Sequence, residues 1–182
     1  MDEIIAADLY RHFGLKGKKG LLKGLSYPGF RYTFLFRKVS MTDKKSLAGF
    51  LYRLLIRRYR YKYGFEINHE AQIGKGFYLT SHIGSVIIGR VVMGKNCNVG
   101  HLVTIGRGIA GDRKGFATIG DNVWIGTGAV IIGNIQIGNN VLIAPNTYLN
   151  FNVPDNSVVY GNPGKIIKAR EPTKGYINYS ID

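Results

Sequence analysis

The stretch Ile-Gly-Asp-Asn-Val-Trp-Ile-Gly at residues 119–126 decides the fold, because it belongs to a pattern that repeats every six residues. An aliphatic residue recurs at this spacing on both sides of the stretch. The positions are Ile67, Ile73, Leu79, then Ile87, Met93, Val99, Ile105, then Ile119, Ile125, Ile131, Ile137, Ile143 and Leu149. A period of six is typical of a β-helix, in which six residues form a short strand and a corner, and three such units complete a coil. The sequence therefore predicts a mainly β, parallel β-helix.

A second set of mostly small or aliphatic residues stands two positions before the first set and is also predicted to point inward. Its members are Ala71, Phe77, Val91, Cys97, Val103, Ala117, Val123, Ala129, Ile135, Val141 and Thr147. The period is broken twice, by eight residues between Leu79 and Ile87 and by fourteen between Ile105 and Ile119. Because breaks in a rigid solenoid form surface loops, we expect an extended loop near 106–118, and such loops commonly carry function.

Composition and charge divide the chain into unequal parts. Its 182 residues suit one domain, and 25 glycines with 45% hydrophobic residues exclude a disordered chain and an ordinary helical bundle. Residues 1–65 contain 15 lysines and arginines against 4 acids, a net charge of +11, whereas residues 66–182 contain 10 against 7, a net charge of +3. We therefore predict a basic, mainly helical segment at 1–65, the β-helix at 66–168 and a tail at 169–182.

The N-terminal segment is expected to attract anionic partners. Residues 2–12 are predicted to form a short helix, and residues 14–29 a lysine-rich loop with a turn at its end. From Ser46 to Tyr63 the pattern predicts an amphipathic basic helix, with apolar residues on one face and arginines on another. Its apolar face is Leu47, Phe50, Leu51, Leu54 and Leu55, and its arginine face is Arg53, Arg57 and Arg60. The favoured interpretation is that the apolar face packs on the protein; contact with an anionic membrane surface is the alternative.

The single cysteine, Cys97, cannot form an internal disulfide, and the first residues lack the positive and apolar regions of a signal peptide. No apolar run approaches the roughly 18 residues needed to cross a bilayer. We therefore expect a cytoplasmic protein, whose membrane contact would be peripheral.

Two histidines are the candidates for chemistry. His82 lies within the first break, and His101 follows nineteen residues later, close to one eighteen-residue coil. The two side chains are therefore predicted to lie near each other on adjacent coils. An imidazole has the unperturbed pKa best suited to accept a proton near neutral pH, so one of these histidines is the natural general base.

Residues 119–126, together with Asn-Pro-Gly-Lys at 162–165, resemble the left-handed β-helix of the hexapeptide acyltransferases over residues 66–168. Residues 66–89 are similar to the catalytic coil of serine acetyltransferases and polysaccharide O-acetyltransferases. This resemblance implies acetyl-CoA as the co-substrate, no metal, and a homotrimer with sites between subunits. It implies His82 as the general base, Glu66 as the acid that orients it, and direct transfer of the acetyl group.

The resemblance also places the remaining site residues. Thr127 and Pro145 are expected to line the pantetheine arm of acetyl-CoA, with Lys165 and Lys168 near its phosphates. We expect His101 and Arg113 to contact the acceptor. Cys97 belongs to the inward set, so we do not expect it to act as a nucleophile.

Departures from the serine acetyltransferase pattern direct the expectation about the acceptor. Ser81 stands where an acid precedes the histidine, and Phe116 stands where the loop carries a second histidine. The segment at 1–65 replaces a longer helical domain. We therefore expect a sugar hydroxyl in capsule, exopolysaccharide or lipopolysaccharide synthesis, with serine O-acetylation in cysteine biosynthesis as the alternative. A zinc enzyme like the β-helix carbonic anhydrases and a nucleic-acid binder are remote alternatives, because a third metal ligand and a recognition motif are missing.

Overall fold

The computed structural model describes all 182 residues and contains fifteen short strands that coil into a parallel β-solenoid of about five turns. The strands are β1 Phe65–Ile67, β2 Gln72–Ile73, β3 Tyr78–Leu79, β4 Val86–Ile88, β5 Val92–Met93, β6 Asn98–Val99, β7 Thr104–Gly106, β8 Thr118–Ile119, β9 Val123–Ile125, β10 Val130–Ile132, β11 Gln136–Ile137, β12 Val141–Ile143, β13 Tyr148–Leu149, β14 Ser157–Tyr160 and β15 Lys165–Lys168. The predicted β-helix is confirmed; its left-handed sense stays a prediction.

As far as β13, every third strand joins the same sheet, as a coil of three strands requires, and β14 and β15 then extend the third sheet. The sheets have the orders β1-β4-β7-β10-β13, β2-β5-β8-β11 and β3-β6-β9-β12-β14-β15, and only β15 pairs antiparallel. Ile119 pairs with Ile137 and Ile125 with Ile143, so the later coils contain eighteen residues. The two inward sets predicted from the period are buried, with one exception.

The exception is Ile87, whose predicted inward position is wrong. Ile87 is 41% exposed, whereas its neighbours Val86 and Ile88 are buried and pair with Phe65 and Ile67 of the coil below. The break before β4 contains one residue more than the six-residue period predicts, so the inward position falls on Ile88 instead of Ile87. In β4 the side chains therefore alternate inward, outward, inward.

Four helices precede the solenoid: α1 Glu3–Arg11, α2 Gly17–Gly24, α3 Pro28–Met41 and α4 Leu47–Tyr63. The predicted helices at 2–12 and 46–63 are confirmed, and Ser46 caps α4 by accepting a hydrogen bond from the N–H of Gly49. The loop predicted for 14–29 is wrong, because half of that segment is α2 and the predicted turn is the first turn of α3. A proline at the first position suits a helix start.

A buried ion pair between two of the helices also makes hydrogen bonds to the first coil. The guanidinium of Arg37, on α3, lies 2.8 Å from the carboxylate of Asp8, on α1, and both side chains are buried. Arg37 also donates to the carbonyl oxygens of Ile73 and Gly74, and Asp8 accepts from the backbone N–H of Phe77. The helices therefore pack against the solenoid through specific polar contacts.

The apolar face of α4 does not pack on the protein, and the favoured interpretation from sequence is wrong. Its five members, Leu47, Phe50, Leu51, Leu54 and Leu55, are between 42% and 76% exposed. The helix packs instead through Gly49, Ile56, Tyr59 and Tyr63. Sequence pattern identifies the two faces of a helix but not which of them finds a partner. No helix is long and apolar enough to cross a membrane.

Two further segments lie on the solenoid surface. The predicted extended loop is confirmed between β7 and β8, where Gly111–Arg113 forms a 3-10 turn and Gly108 pairs with Gly115. The C-terminal tail returns along the third sheet, where the ring of Tyr176 packs 5.0 Å from that of Trp124. Ile181 exchanges hydrogen bonds with the side chain of Asn96.

Candidate active site

One edge of the solenoid collects half of the predicted site residues. Leu79, Val99, Ile125 and Ile143 are in register on neighbouring strands of the third sheet. The residues two positions further on therefore follow one another along the same edge: Ser81, His101, Thr127 and Pro145. His82 is the next residue in the first coil. The register thus brings a candidate base, a candidate acceptor contact and two candidate acetyl-CoA contacts to one line.

The predicted meeting of His82 and His101 is found, since the centroids of their rings are 5.5 Å apart. Both rings line a cleft of about 240 Å³. Nδ1 of His82 lies 3.3 Å from the hydroxyl oxygen of Thr80, which also accepts a hydrogen bond from the backbone N–H of His82. Nδ1 of His101 lies 3.4 Å from the hydroxyl oxygen of Thr127. Each ring is oriented through Nδ1, so Nε2 is the nitrogen left for chemistry.

Glu66 does not contact His82. It lies on β1, in the first sheet, and its carboxylate forms an ion pair with Arg60 of α4. The side chain is half exposed in a cleft beneath α4 that is separate from the cleft of the two histidines. The group found beside His82 is the hydroxyl of Thr80, which can fix the tautomer of the imidazole but cannot supply a negative charge.

The other predicted contacts are spread along the chain. Arg113, in the extended loop, donates a hydrogen bond to the carbonyl oxygen of Asn150 and does not line the cleft of the two histidines. Lys165 and Lys168 lie on β15, at the far end of the third sheet, and both are exposed. Lys168 borders a shallow surface depression next to Arg170.

Besides Thr80, three polar or aromatic residues of the cleft were not predicted as site residues. Tyr78, Asn98 and Trp124 stand on adjacent strands of the third sheet and form the wall of the cleft. Each stands one position before an inward aliphatic residue, so it must point outward. The six-residue period therefore held the signal needed to find them.

Burial decides which other groups can react. Cys97 is fully buried, and burial raises the pKa of its thiol to about 12, so the thiolate that a nucleophile requires is not available near neutral pH. No group of three histidine, cysteine or carboxylate side chains comes together in a way that could hold a metal ion. The chemistry of the cleft therefore depends on the two imidazoles and on hydroxyl, amide and aromatic groups.

Comparison with known proteins agrees with this architecture. Residues 116–150 match the family described as bacterial transferase hexapeptide (six repeats). The serine acetyltransferase of Synechococcus elongatus is 33% identical over 150 residues, which are 82% of this chain and 61% of that protein. A Staphylococcus aureus serine acetyltransferase is 39% identical over 115 residues, which are 60% of this chain and 51% of that protein. The chain thus spans between half and two thirds of the length of these curated relatives.

Solved structures are similar over most of the chain. Brucella abortus serine acetyltransferase superposes with a TM-score of 0.76 at 28% identity, covering 93% of this chain and 70% of that one. The soybean apoenzyme superposes with a TM-score of 0.73 at 30% identity, covering 90% and 67%. The Brucella abortus enzyme in complex with coenzyme A superposes with a TM-score of 0.74 at 27% identity, covering 91% and 67%.

These relatives correct one expectation from sequence. The predicted sugar acceptor is wrong, because the relatives and solved structures that match are serine acetyltransferases. The short N-terminal segment does not separate this chain from serine acetyltransferases, because a match that covers 93% of the chain must include most of that segment. On the repeat, the coil register and these matches, the chain belongs to the hexapeptide-repeat acyltransferase superfamily.

Proposed function

We propose that this protein is a serine O-acetyltransferase that moves the acetyl group of acetyl-CoA to the hydroxyl of serine. The observation that carries the proposal is the structural similarity to a serine acetyltransferase over more than nine tenths of the chain. The paired imidazoles on adjacent coils support it, because they place a proton acceptor in an open cleft.

His82 acts as the general base in this proposal. If Nδ1–H donates to the hydroxyl oxygen of Thr80, Nε2 carries the lone pair that removes the proton from the serine hydroxyl. The resulting oxygen nucleophile attacks the thioester carbonyl, and the tetrahedral intermediate expels the thiolate of coenzyme A. The imidazolium then returns its proton to that thiolate, so the enzyme ends the cycle unchanged. Because Glu66 lies elsewhere, Thr80 takes the orienting role that sequence assigned to the acid.

The pantetheine arm binds along the edge that carries His101, Thr127 and Pro145. This edge leads from the cleft toward the later coils, where Lys165 and Lys168 supply positive charge suited to phosphates. Acetyl-CoA brings the activated acetyl group, and the chain supplies the base and the positions of both reactants. His101 is close enough to His82 to contact the same acceptor.

A homotrimer is part of the proposal. The cleft of about 240 Å³ is smaller than the 300–1,000 Å³ usual for ligand pockets, so one copy of the chain encloses too little space for both substrates. Arg113 does not line the cleft of its own chain, which suits a contact with the site of a neighbouring copy. We expect this assembly to lie in the cytoplasm, where acetyl-CoA is available.

The test is a thiol-release assay with acetyl-CoA and serine, with threonine and homoserine as related acceptors. We expect O-acetylserine as the product, and a loss of kcat of at least 100-fold in His82→Ala. His69→Ala is the matched control, because His69 is an exposed histidine outside the cleft. Wild-type turnover in His82→Ala would contradict the assigned base. Thiol release with another acceptor but not with serine would contradict the assigned substrate.

A further inference from the structure

The outer face of α4, defined as Leu47, Phe50, Leu51, Leu54 and Leu55, is unpartnered in the structure. We propose that this face binds the surface of an anionic lipid bilayer. The proposal does not depend on the enzymatic activity, since none of these side chains lines the cleft of the two histidines.

The arrangement of the face is the first support. Its members follow a helical spacing of three and four residues and form one continuous apolar stripe along the first half of α4. All five side chains are exposed, by between 42% and 76%. A continuous apolar stripe on a surface helix marks an interaction site rather than ordinary surface composition.

The charges around the stripe identify the partner. Residues 47–63 contain five lysines and arginines and no acid. Arg57, Arg58 and Lys62 are exposed, and the strongly exposed ring of Tyr61 lies at the end of the stripe. Apolar side chains flanked by cations and an aromatic residue suit the boundary between acyl chains and anionic headgroups.

The cleft beneath α4 collects arginine side chains of the same helix. It has a volume of about 370 Å³, and Arg53, Arg57 and Arg60 line it over a floor that includes Tyr32 and Phe36. Arg60 is paired with Glu66, and Arg53 donates to a backbone carbonyl of its own helix, while Arg57 has no partner. The unpaired guanidinium of Arg57, three residues after Leu54 of the stripe, favours binding of a lipid phosphate.

The same charges disfavour a second copy of the chain as the partner. Two α4 helices packed through their outer faces would bring together two sets of exposed cations, Arg57, Arg58 and Lys62, with no acid on either helix to pair with them. Such like-charge contacts oppose association. An anionic bilayer neutralises the cations and buries the apolar stripe at the same time.

The test is co-sedimentation of the full chain with vesicles of phosphatidylcholine alone or of phosphatidylcholine mixed with phosphatidylglycerol. We expect binding to the mixed vesicles, and weaker binding at higher salt, because exposed charges are screened. The double variant Leu51→Gln/Leu54→Gln should lower the partition coefficient at least tenfold. The matched control is Leu22→Gln, which removes a strongly exposed leucine outside α4 and should leave binding unchanged.

Three results would overturn the proposal: no binding to the mixed vesicles, equal binding to both kinds of vesicle, or equal binding by the double variant. A lower molecular mass of the double variant by light scattering, without vesicles, would instead identify a second copy as the partner and would also overturn it. The thiol-release rate of the double variant in solution should match that of the wild type. Vesicle binding and acetyl transfer can therefore fail separately.

Discussion

Lowering the pH from 7 to 5 should destabilise the fold through one buried histidine, His12. The residue follows α1 and is fully buried, with its ring stacked 4.4 Å from that of Tyr78 and edge-on to Phe30. Nδ1 lies 2.8 Å from the carbonyl oxygen of Asp8, and Nε2 has no partner. Burial lowers the pKa of His12 from 6.5 to about 4, because the charged form would lose its solvation without gaining a counter-ion.

The sign and the size of this destabilisation follow from the linkage between proton binding and folding. Between pH 6.5 and pH 4 the unfolded chain binds a proton at His12 that the folded chain excludes, so the free energy of unfolding falls as the pH falls through this window. One pKa unit corresponds to about 1.36 kcal/mol. At pH 5, about 1.5 units below the ordinary value, the loss is about 2 kcal/mol relative to pH 7. The stability from this source is fully present above pH 6.5.

Urea denaturation at pH 7 and pH 5 measures the effect, with His12→Phe as the non-titrating variant that keeps an aromatic ring in the stack. Other groups titrate in both proteins, so the informative quantity is the difference between their two pH dependences. We expect the wild type to lose about 2 kcal/mol more than His12→Phe. His69→Gln removes an exposed imidazole and should behave as the wild type. Equal losses in the wild type and His12→Phe would refute the reasoning.

Three other substitutions test contacts between the helical segment, the solenoid and the cleft. Thr80→Val removes the hydrogen bond that orients His82, so kcat should fall about fivefold, for about 1 kcal/mol, at unchanged KM for acetyl-CoA in steady-state assays. A Cβ on Gly29 would lie 2.3 Å from the carbonyl oxygen of Thr80, so Gly29→Ala should lower the free energy of unfolding by about 1–3 kcal/mol in urea. Arg37→Met leaves the carboxylate of Asp8 buried without its partner and should cost about 3–5 kcal/mol by chemical denaturation; wild-type stability would show that the pair is not needed.

The solenoid was predictable because its period is imposed by geometry. Each strand contributes side chains to a narrow interior, so a residue such as Ile131 must be aliphatic, and the residue six positions away meets the same requirement. Spacing failed only at a break, where Ile87 was assigned inward. A count of residues gives the length of an insertion but not how the chain divides it between a corner and the next strand.

The helical segment was harder to predict because α2 and α3 depend on tertiary packing. The sequence Gly-Lys-Lys-Gly-Leu-Leu-Lys-Gly of α2 has weak local helix propensity. In α3, Phe30 is buried against Ile5 and Leu9 of α1, whereas Tyr32 and Phe36 belong to the core of the solenoid. Most helical stability in proteins comes from such packing rather than from propensity. The partner surface lies far away in sequence, so local reasoning did not find it.

The part of the candidate site that lies within the repeat was predictable from the sequence, whereas its contact with the helical segment was not. His82 and His101 are related by the coil length, so their meeting followed from the repeat. The partner of Glu66 did not, because Arg60 comes from α4, whose position on the solenoid no period specifies. Residue spacing predicts the contacts within the repeat. Contacts between the repeat and the helical segment depend on how the helices pack, which the spacing does not specify.

The helical segment has two surfaces with different consequences for function. Its inner surface holds Arg37 and Asp8 against residues 73–77, immediately before the strand that leads to Thr80 and His82. Movement of this contact shifts the strand that positions the base, so substitutions there should lower turnover together with stability. The outer face of α4 contacts neither that strand nor the cleft. Its substitutions should change where the protein binds while leaving the reaction itself intact, and this separation lets the two proposals be tested in one molecule.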